Sequence, residues 1–134
     1  MKALIVLSLV FLPIAASSQT VIDAKTVEFM ASPDHAAVSV VTNSPIVAKY
    51  QLNCAGTGGT PLTKDLGKPT PTATGFIGPI TVAEFLTITV DVLYSCTVTA
   101  SGPGGVGVSA PSNFFGRSGP PRAPVAPTNV VVKP

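Results

Sequence analysis

The run from Tyr94 to Ala100 constrains the fold of this chain more than any other part of the sequence. Large or apolar side chains alternate there with small hydroxylated ones, which is the period of a β-strand with one buried face and one wet face. The pattern predicts that four side chains point into a core: Tyr94, Cys96, Val98 and Ala100. A glycine-dense segment, residues 101–107, follows directly and predicts a loop that reverses the chain. These residues indicate an architecture and do not identify an activity.

The N-terminus has the pattern of a secretory signal peptide. Met1-Lys2 supplies a basic start, residues 3–16 are apolar, and small residues follow at Ser17 and Ser18. An apolar stretch of about 14 residues is short for a membrane span and typical of an export signal. We therefore assign residues 1–18 to a signal peptide, expect no membrane span in the mature chain, and expect a secreted, extracellular or periplasmic protein.

The mature chain has about 116 residues, enough for one modest domain with its own core. Without Lys2, 7 basic and 6 acidic side chains leave a net charge of +1, and the basic residues are scattered along the chain. A nucleic-acid-binding domain would be expected to carry a basic patch, so nucleic acid is not an expected partner.

The two cysteines, Cys54 and Cys96, belong to a chain with an export signal. In an oxidising compartment such a pair favours a disulfide over two free thiols. A structural zinc site normally needs four ligands, and two Cys with one His do not supply them. No metal and no cofactor is expected.

Strand-like segments recur along the mature chain, separated by turn signals rich in Gly, Pro, Asn and Ser. In the third of them, Tyr50, Leu52 and Cys54 share one face. The segments predicted as strands are 26–31, 36–42, 47–54, a short edge strand within 62–75, 76–92 with Pro79 interrupting it early, 94–100, and 106–115 interrupted by Pro111. Six to seven strands of this kind predict an all-β antiparallel sandwich.

The run Tyr94, Cys96, Val98, Ala100, followed by Gly105-Val106-Gly107, resembles the penultimate strand and following loop of a fibronectin type III domain. The bacterial secreted type in particular carries a Tyr-x-Cys-Thr-Val-x-Ala run and an earlier cysteine like Cys54. The resemblance covers residues 24–116 and is sharpest over 94–112. It implies a seven-stranded antiparallel sandwich of the immunoglobulin-like class.

The resemblance also implies roles for single residues. Tyr94 would be the corner tyrosine whose hydroxyl bonds to backbone just upstream. Cys54 and Cys96 would face each other across neighbouring strands of one sheet, a geometry that can admit a disulfide. The alternation in each strand, apart from the resemblance, places Tyr50 and Leu52 in the core with Val98 and Ala100.

Three departures from the family pattern are visible. Gly102 stands where an asparagine is usual, Asp91 stands where a glycine is common, and the chain has no Trp. Val38 or Val40 would then fill the space of the missing tryptophan. An immunoglobulin domain is the nearest rival topology, because residues 91–96 loosely resemble its Asp-x-x-x-Tyr-x-Cys signature, although the Asp lies one residue too close.

The candidates for catalysis are few. His35, the only histidine, lies in a Pro-Asp-His turn where Asp34 is better explained as a turn former. No Gly-x-Ser-x-Gly nucleophile elbow is present. Glu84 and Asp91 form a conceivable carboxylate pair, but no cleft pattern surrounds them. We therefore expect a protein that is not an enzyme.

A noncatalytic secreted module for extracellular protein or carbohydrate binding, or for adhesion, is the function that these observations favour. Residues 42–46 and 101–108 are the loops expected to present the binding surface. The candidate binding residues are Asn43, Ser44, Ser101, Gly102 and Gly105. The alternatives are a structural spacer domain and an accessory domain of a separate secreted enzyme.

Residues 117–134 differ in character from the preceding domain, which we place at 19–116. Four prolines within 120–127 predict an extended linker. The run 127–132, Pro-Thr-Asn-Val-Val-Val, resembles the opening strand of a further module of the same family. A proline-rich tail with a few β-branched residues is the alternative interpretation.

Overall fold

A computed structural model describes residues 19–120 and 123–134, so the predicted signal peptide lies outside the described residues. The described chain is nearly all β, with one short turn of 3-10 helix. The elements are β1 (Val21–Ile22), β2 (Thr26–Met30), β3 (Lys49–Ala55), β4 (Leu62–Gly67), β5 (Phe76–Thr81), the 3-10 helix (Ala83–Leu86), β6 (Ser95–Gly102), β7 (Gly105–Val108) and β8 (Phe115–Gly116). The predicted all-β class is confirmed. Over the same residues, no helix has the length and apolar character needed to traverse a lipid bilayer.

The larger sheet is antiparallel and has the strand order β4-β3-β6-β7. Its centre pairs Tyr50 with Ala100 and Leu52 with Val98. Because side chains alternate across a strand, these positions share one face of the sheet, and Tyr50 and Leu52 are buried there. Strand β4 lies on an edge, as the prolines and charges of residues 62–75 predicted.

The smaller sheet pairs β2 with β5, antiparallel, and packs on the larger one. Ile77 of β5 is fully buried and clusters with Val47 and Tyr50. Phe29 of β2 packs on Tyr50 with ring centroids 5.2 Å apart. The contact between sheets is therefore made by apolar side chains from the inner face of each, as in a sandwich.

A second cluster closes the other end of the core. Phe115 lies 4.8 Å from Phe85 and 5.9 Å from Tyr94, centroid to centroid. Its neighbour Phe114 is 52% exposed, because adjacent residues of an extended chain point to opposite sides. Burying side chains of this size contributes about 1.5–3 kcal/mol each.

Strand β1 pairs with β8 in parallel, with Val21 opposite Phe115 and Ile22 opposite Gly116. Past this pair, the Ser118 backbone N–H donates to Asp23 Oδ1 at 2.9 Å and the Ser118 hydroxyl lies 2.6 Å from Asp23 Oδ2. Arg117 donates to the Ile88 carbonyl at 3.3 Å. These first residues after 116 are thus bonded to the body of the domain.

The prediction of a strand over 36–42 is wrong. This segment consists of turns, with a single bridge between Val38 and Pro45. The Ser39 hydroxyl accepts the backbone N–H groups of Val41 and Thr42, both at 3.3 Å. Such local bonds offer the backbone an alternative to a strand ladder. Residues 32–46 therefore form one long loop between β2 and β3, hereafter the 32–46 loop.

The expectation that Val38 or Val40 takes the place of the missing tryptophan is wrong for the same reason. Val38 is 49% exposed and Val40 is fully exposed. Phe29 is the aromatic residue that packs against Tyr50 instead. The error follows from the misassigned strand, since a turn has no inward face.

The predicted strand over 76–92 is shorter than expected. Strand β5 ends at Thr81, and Val82, Phe85 and Ile88 are then buried at a spacing of three residues. This spacing fits a tight helical turn better than the period of two of a strand. The chain leaves extended geometry here although its residues are β-prone.

The predicted last strand, 106–115, is split in two. Between β7 and β8, Ser109 and Ser112 extend the pairing with β6 through their backbone and their side chains. The Ser112 hydroxyl accepts the Cys96 N–H and the Ser109 hydroxyl accepts the Val98 N–H, both at 2.9 Å. Pro111 lies between these serines and has no N–H to donate.

Candidate functional site

The disulfide between Cys54 and Cys96 is confirmed. The two residues are directly opposite each other in the β3–β6 pair, and both are buried. The bridge crosslinks the two central strands of the larger sheet, beside the Tyr94 and Phe115 cluster. Its position makes it part of the core.

Tyr94 connects two loops at the end of the molecule that carries the disulfide. It is fully buried, its hydroxyl oxygen accepts the Thr89 backbone N–H at 3.2 Å, and its hydroxyl donates to the Thr60 carbonyl at 3.3 Å. At Gly59 an added Cβ would overlap the Tyr94 ring. The hydroxyl therefore bonds to backbone five residues upstream, and the tyrosine holds the fold in place.

At the opposite end of the larger sheet, the two loops with candidate binding residues touch each other. The Ala48 backbone N–H donates to the Ser101 carbonyl at 2.7 Å. Gly102 lies against the Ile46 carbonyl so closely that a Cβ at position 102 would overlap it. This contact gives a physical reason for glycine at position 102.

A cleft of about 540 Å³ opens where these loops meet, hereafter the loop cleft. One wall comes from the 32–46 loop and Val47, which precedes β3, and the other from Ala100 of β6, the β6–β7 turn and the start of β7. Its lining consists of Ser32, Asp34, Ser39, Thr42, Ser44, Pro45, Ile46, Val47, Ala100 and residues 103–107. Hydroxyl groups, glycine backbone and small apolar side chains predominate, with a single carboxylate.

The five candidate binding residues take different places around this cleft. Ser44 and Gly105 line it. Ser101 and Gly102 join the two loops from behind, through backbone groups. Asn43 forms the turn of the 32–46 loop, with φ 56° and its N–H donating to the Ser39 carbonyl at 2.9 Å.

Tyr50 and His35 support the 32–46 loop from below. The buried Tyr50 hydroxyl accepts the Ser32 N–H at 3.2 Å and lies 2.8 Å from His35 Nδ1. The two rings stack with centroids 5.7 Å apart. The sequence pattern placed Tyr50 in the core but contained no signal that its hydroxyl would position a cleft wall.

The carboxylates considered for catalysis have structural explanations. Both carboxylate oxygens of Glu84 accept hydrogen bonds from Lys64 Nζ at 2.9 Å, and these bonds hold the pKa of Glu84 below its ordinary value. Asp91 occupies a left-handed turn, with φ 61°. Within residues 19–120 and 123–134, no three His, Cys, Asp or Glu side chains group closely enough to hold a metal ion.

A second opening, also about 540 Å³, lies at the side of the sandwich, between β2 and the β6–β7 pair. It is hereafter the lateral groove. Its inner lining includes Val27 and Phe29 from the smaller sheet and Val98 and Ala100 from the larger one. Apolar surface predominates in both openings, and more so in the lateral groove than in the loop cleft.

Comparison of this chain with protein-family models, with curated proteins and with solved structures gave no match.

Proposed function

We propose that this protein is an exported, noncatalytic sandwich module of the fibronectin type III kind that binds an extracellular protein or carbohydrate in its loop cleft. The observation that carries the proposal is the meeting of two sequence-distant loops in one concave site. Loops held on a rigid sheet are common places for recognition residues. The Ser101 and Gly102 contacts hold the two cleft walls together before any ligand arrives.

The strand arrangement supports the immunoglobulin-like part of this proposal. In the larger sheet, β3 and β6 are the two central strands, with β4 on one edge and β7 on the other. Sandwiches of this class build their larger sheet in a similar way and place loops at both ends. The Tyr94 hydroxyl bonds to upstream backbone, as a corner tyrosine would.

Export is supported by the disulfide, since such bonds persist in oxidising compartments. The chemistry of the loop cleft then favours a neutral, hydrogen-bonding ligand. Thr42 and Ser44 offer hydroxyls that donate and accept, and the Ser39 hydroxyl, which already accepts two backbone N–H groups, can donate. The β6–β7 turn offers backbone groups. Sugar hydroxyls and an extended peptide backbone have complementary groups.

The test is a glycan array and an extracellular-protein binding screen with the mature chain, comparing wild type with two arginine variants. Gly104→Arg places a long side chain in the loop cleft, at a glycine with open space around its Cβ position. Thr70→Arg is the control, because Thr70 is exposed and lines neither opening. We expect Gly104→Arg to lose the captured ligand and Thr70→Arg to keep it. Equal binding by both variants would contradict the proposal.

A spacer role is the second candidate, and the β1–β8 pair favours it. Because these strands run parallel, the chain enters at one end of the pair and leaves at the opposite end, running in the same direction. This is the geometry needed to connect units in a row. A spacer should capture nothing in the same screens, while small-angle scattering of the mature chain should show the two terminal segments extending to opposite sides.

A further inference from the structure

Strand β2 pairs with β5 along one edge only, and no strand lies along its other edge in the described part of the chain. An edge strand presents unpaired N–H and C=O groups to any strand that can align with it. Two strands are also the minimum for a sheet, and sheets gain stability from a third. The smaller sheet therefore has a free position beside β2.

The lateral groove runs along this free edge and leaves core side chains uncovered. Val27, Phe29, Val98 and Ala100 pack against the core clusters but are only half-buried. Covering them would remove more apolar surface from water, at about 25 cal/mol for each Å². This side of the sandwich can accept an apolar strand.

Residues 128–132, hereafter the terminal valine segment, have the properties of that strand. The sequence is Thr-Asn-Val-Val-Val, in which Asn129 has φ 58° and the three valines that follow it form the β-prone part. Valine is among the residues most favoured in strands. Val130 is 84% exposed and Val132 is 93% exposed, and no described strand pairs with the segment. The chain thus carries an exposed apolar strand candidate and an uncovered apolar groove.

We propose that the terminal valine segment of one molecule adds as a strand to the free edge of β2 in a second copy and covers its lateral groove. Alternation along the added strand puts Val130 and Val132 on the same face, toward the groove, and Val131 on the other face. Backbone pairing supplies affinity and alternate side chains supply fit, as in other strand additions. Lys133 follows the segment and Glu28 lines the groove, so the charges are complementary.

The proline-rich connection favours a second copy over the same molecule. Residues 119–127 contain four prolines, and such sequences act as extended, semi-rigid spacers. In the sequence, nine residues of this kind separate the terminal valine segment from Ser118, which is bonded to Asp23. Because the segment and the groove are different surfaces of the molecule, the contact is head-to-tail. Two molecules can exchange their segments and form a closed dimer, or successive molecules can add and form an open assembly.

Analytical ultracentrifugation of the mature chain over a wide concentration series tests the proposal. The wild type should show an average mass that rises above the monomer. The double variant Val130→Lys/Val132→Lys should stay monomeric, whereas Val131→Lys should associate like wild type. On the groove side, Ala110→Lys should block association, and Ala83→Lys, an exposed alanine outside the lateral groove, should not.

A peptide of residues 127–134, added to the double variant, should shift the NMR signals of the β2 amides and slow their hydrogen exchange. Wild-type protein that stays monomeric, with no peptide-induced shift in β2, would overturn the proposal. Slow exchange of β2 amides in a strictly monomeric wild type would also overturn it, because the segment would then occupy its own groove. Association that persists in the double variant would assign the contact to another surface.

Discussion

Tyr94 stabilises the fold through both parts of its side chain. The ring packs near Phe115 in the core, and the hydroxyl joins the Thr89 N–H to the Thr60 carbonyl. A buried aromatic of this kind combines a large apolar area with a polar end that must be satisfied. Tyr94, the first residue of the strand pattern, therefore stabilises two loops as well as the core.

Tyr94→Ala should lower the free energy of unfolding by about 3–5 kcal/mol, because it removes a fully buried aromatic ring. Tyr94→Phe should cost about 1–3 kcal/mol, since the Thr89 N–H is left without a partner. Denaturant unfolding of each variant checks both values. Phe114→Ala is the control, and it should cost little because that ring is 52% exposed. Wild-type stability of Tyr94→Ala would contradict the role given to the ring.

Asp91 occupies a left-handed conformation, with φ 61°, at the position where the family resemblance predicts glycine. Side chains with a Cβ pay about 1–2 kcal/mol in this region, and Asp pays less than most. Asp91→Ala should therefore be less stable than Asp91→Gly by roughly 1 kcal/mol. Thermal and denaturant melts compare the two directly. An alanine variant more stable than the glycine variant would show that backbone conformation does not govern this turn.

At the scale of elements, the contact between the 32–46 loop and the β6–β7 turn depends on a glycine, Gly102, which has no side chain to separate the two backbones. Gly102 allows the Ile46 carbonyl to approach where a Cβ would overlap it. The loop cleft is built on this approach, because both of its walls begin there. Closely packed backbones of this kind tolerate glycine alone.

Gly102→Ala should destabilise the protein and weaken binding in the loop cleft, because the Ile46 backbone must move. Gly104→Ala is the matched control two residues away, where a Cβ meets nothing within 4 Å. We expect a loss of about 1–3 kcal/mol at position 102, typical of overpacking, and almost none at position 104. Equal stability of the two variants, measured by denaturant unfolding, would show that the loops adjust freely.

The contact between Asp23 and Ser118 should depend on pH. The hydrogen bonds from the Ser118 hydroxyl and backbone lower the pKa of Asp23 below its ordinary value of 3.8. A lowered folded-state pKa means that the contact is fully present above the ordinary value and is lost as the pH falls through the folded-state pKa. The NMR shift of the Ser118 amide should follow this titration, and Asp23→Asn should remove it. A Ser118 signal that is independent of pH in the wild type would contradict the assignment.

At the scale of the whole molecule, the disulfide constrains a chain that has a modest core. The bridge joins residues 42 positions apart, and a loop of that length corresponds to about 3–4 kcal/mol on the chain-entropy model. Small exported domains often need such a bond to remain folded. The disulfide and the Tyr94 hydrogen bonds both stabilise the end of the sandwich opposite the loop cleft.

Reduction should lower the free energy of unfolding by about 3–4 kcal/mol. The intact mass should increase by two hydrogens on reduction, and the cysteines should resist thiol labelling before it. Cys54→Ala/Cys96→Ala, measured without reductant, should reproduce the loss of stability. Full labelling of unreduced protein would contradict the bond.

The sequence alone was enough to predict the all-β class, the edge position of β4, the β6 strand and the Cys54–Cys96 bond. These features depend on patterns along the chain: a period of two, turn residues, and a cysteine pair that follows a predicted export signal. It failed over 36–42, where β-prone valines are overruled by the bonds of Ser39. It also failed over 82–88, where a spacing of three follows a strand.

Only the tertiary structure decided where the loop cleft and the lateral groove lie. The loop cleft exists because Ser101 and Gly102 meet Ala48 and Ile46, more than fifty residues earlier in the chain. The lateral groove exists because, in the described residues, β5 pairs with one edge of β2 and no strand pairs with the other edge. Local patterns determine which face of a strand is buried, since that depends on neighbours in sequence. The shape of a cleft depends on backbone distances between remote segments, and those distances are set when the sheets pack.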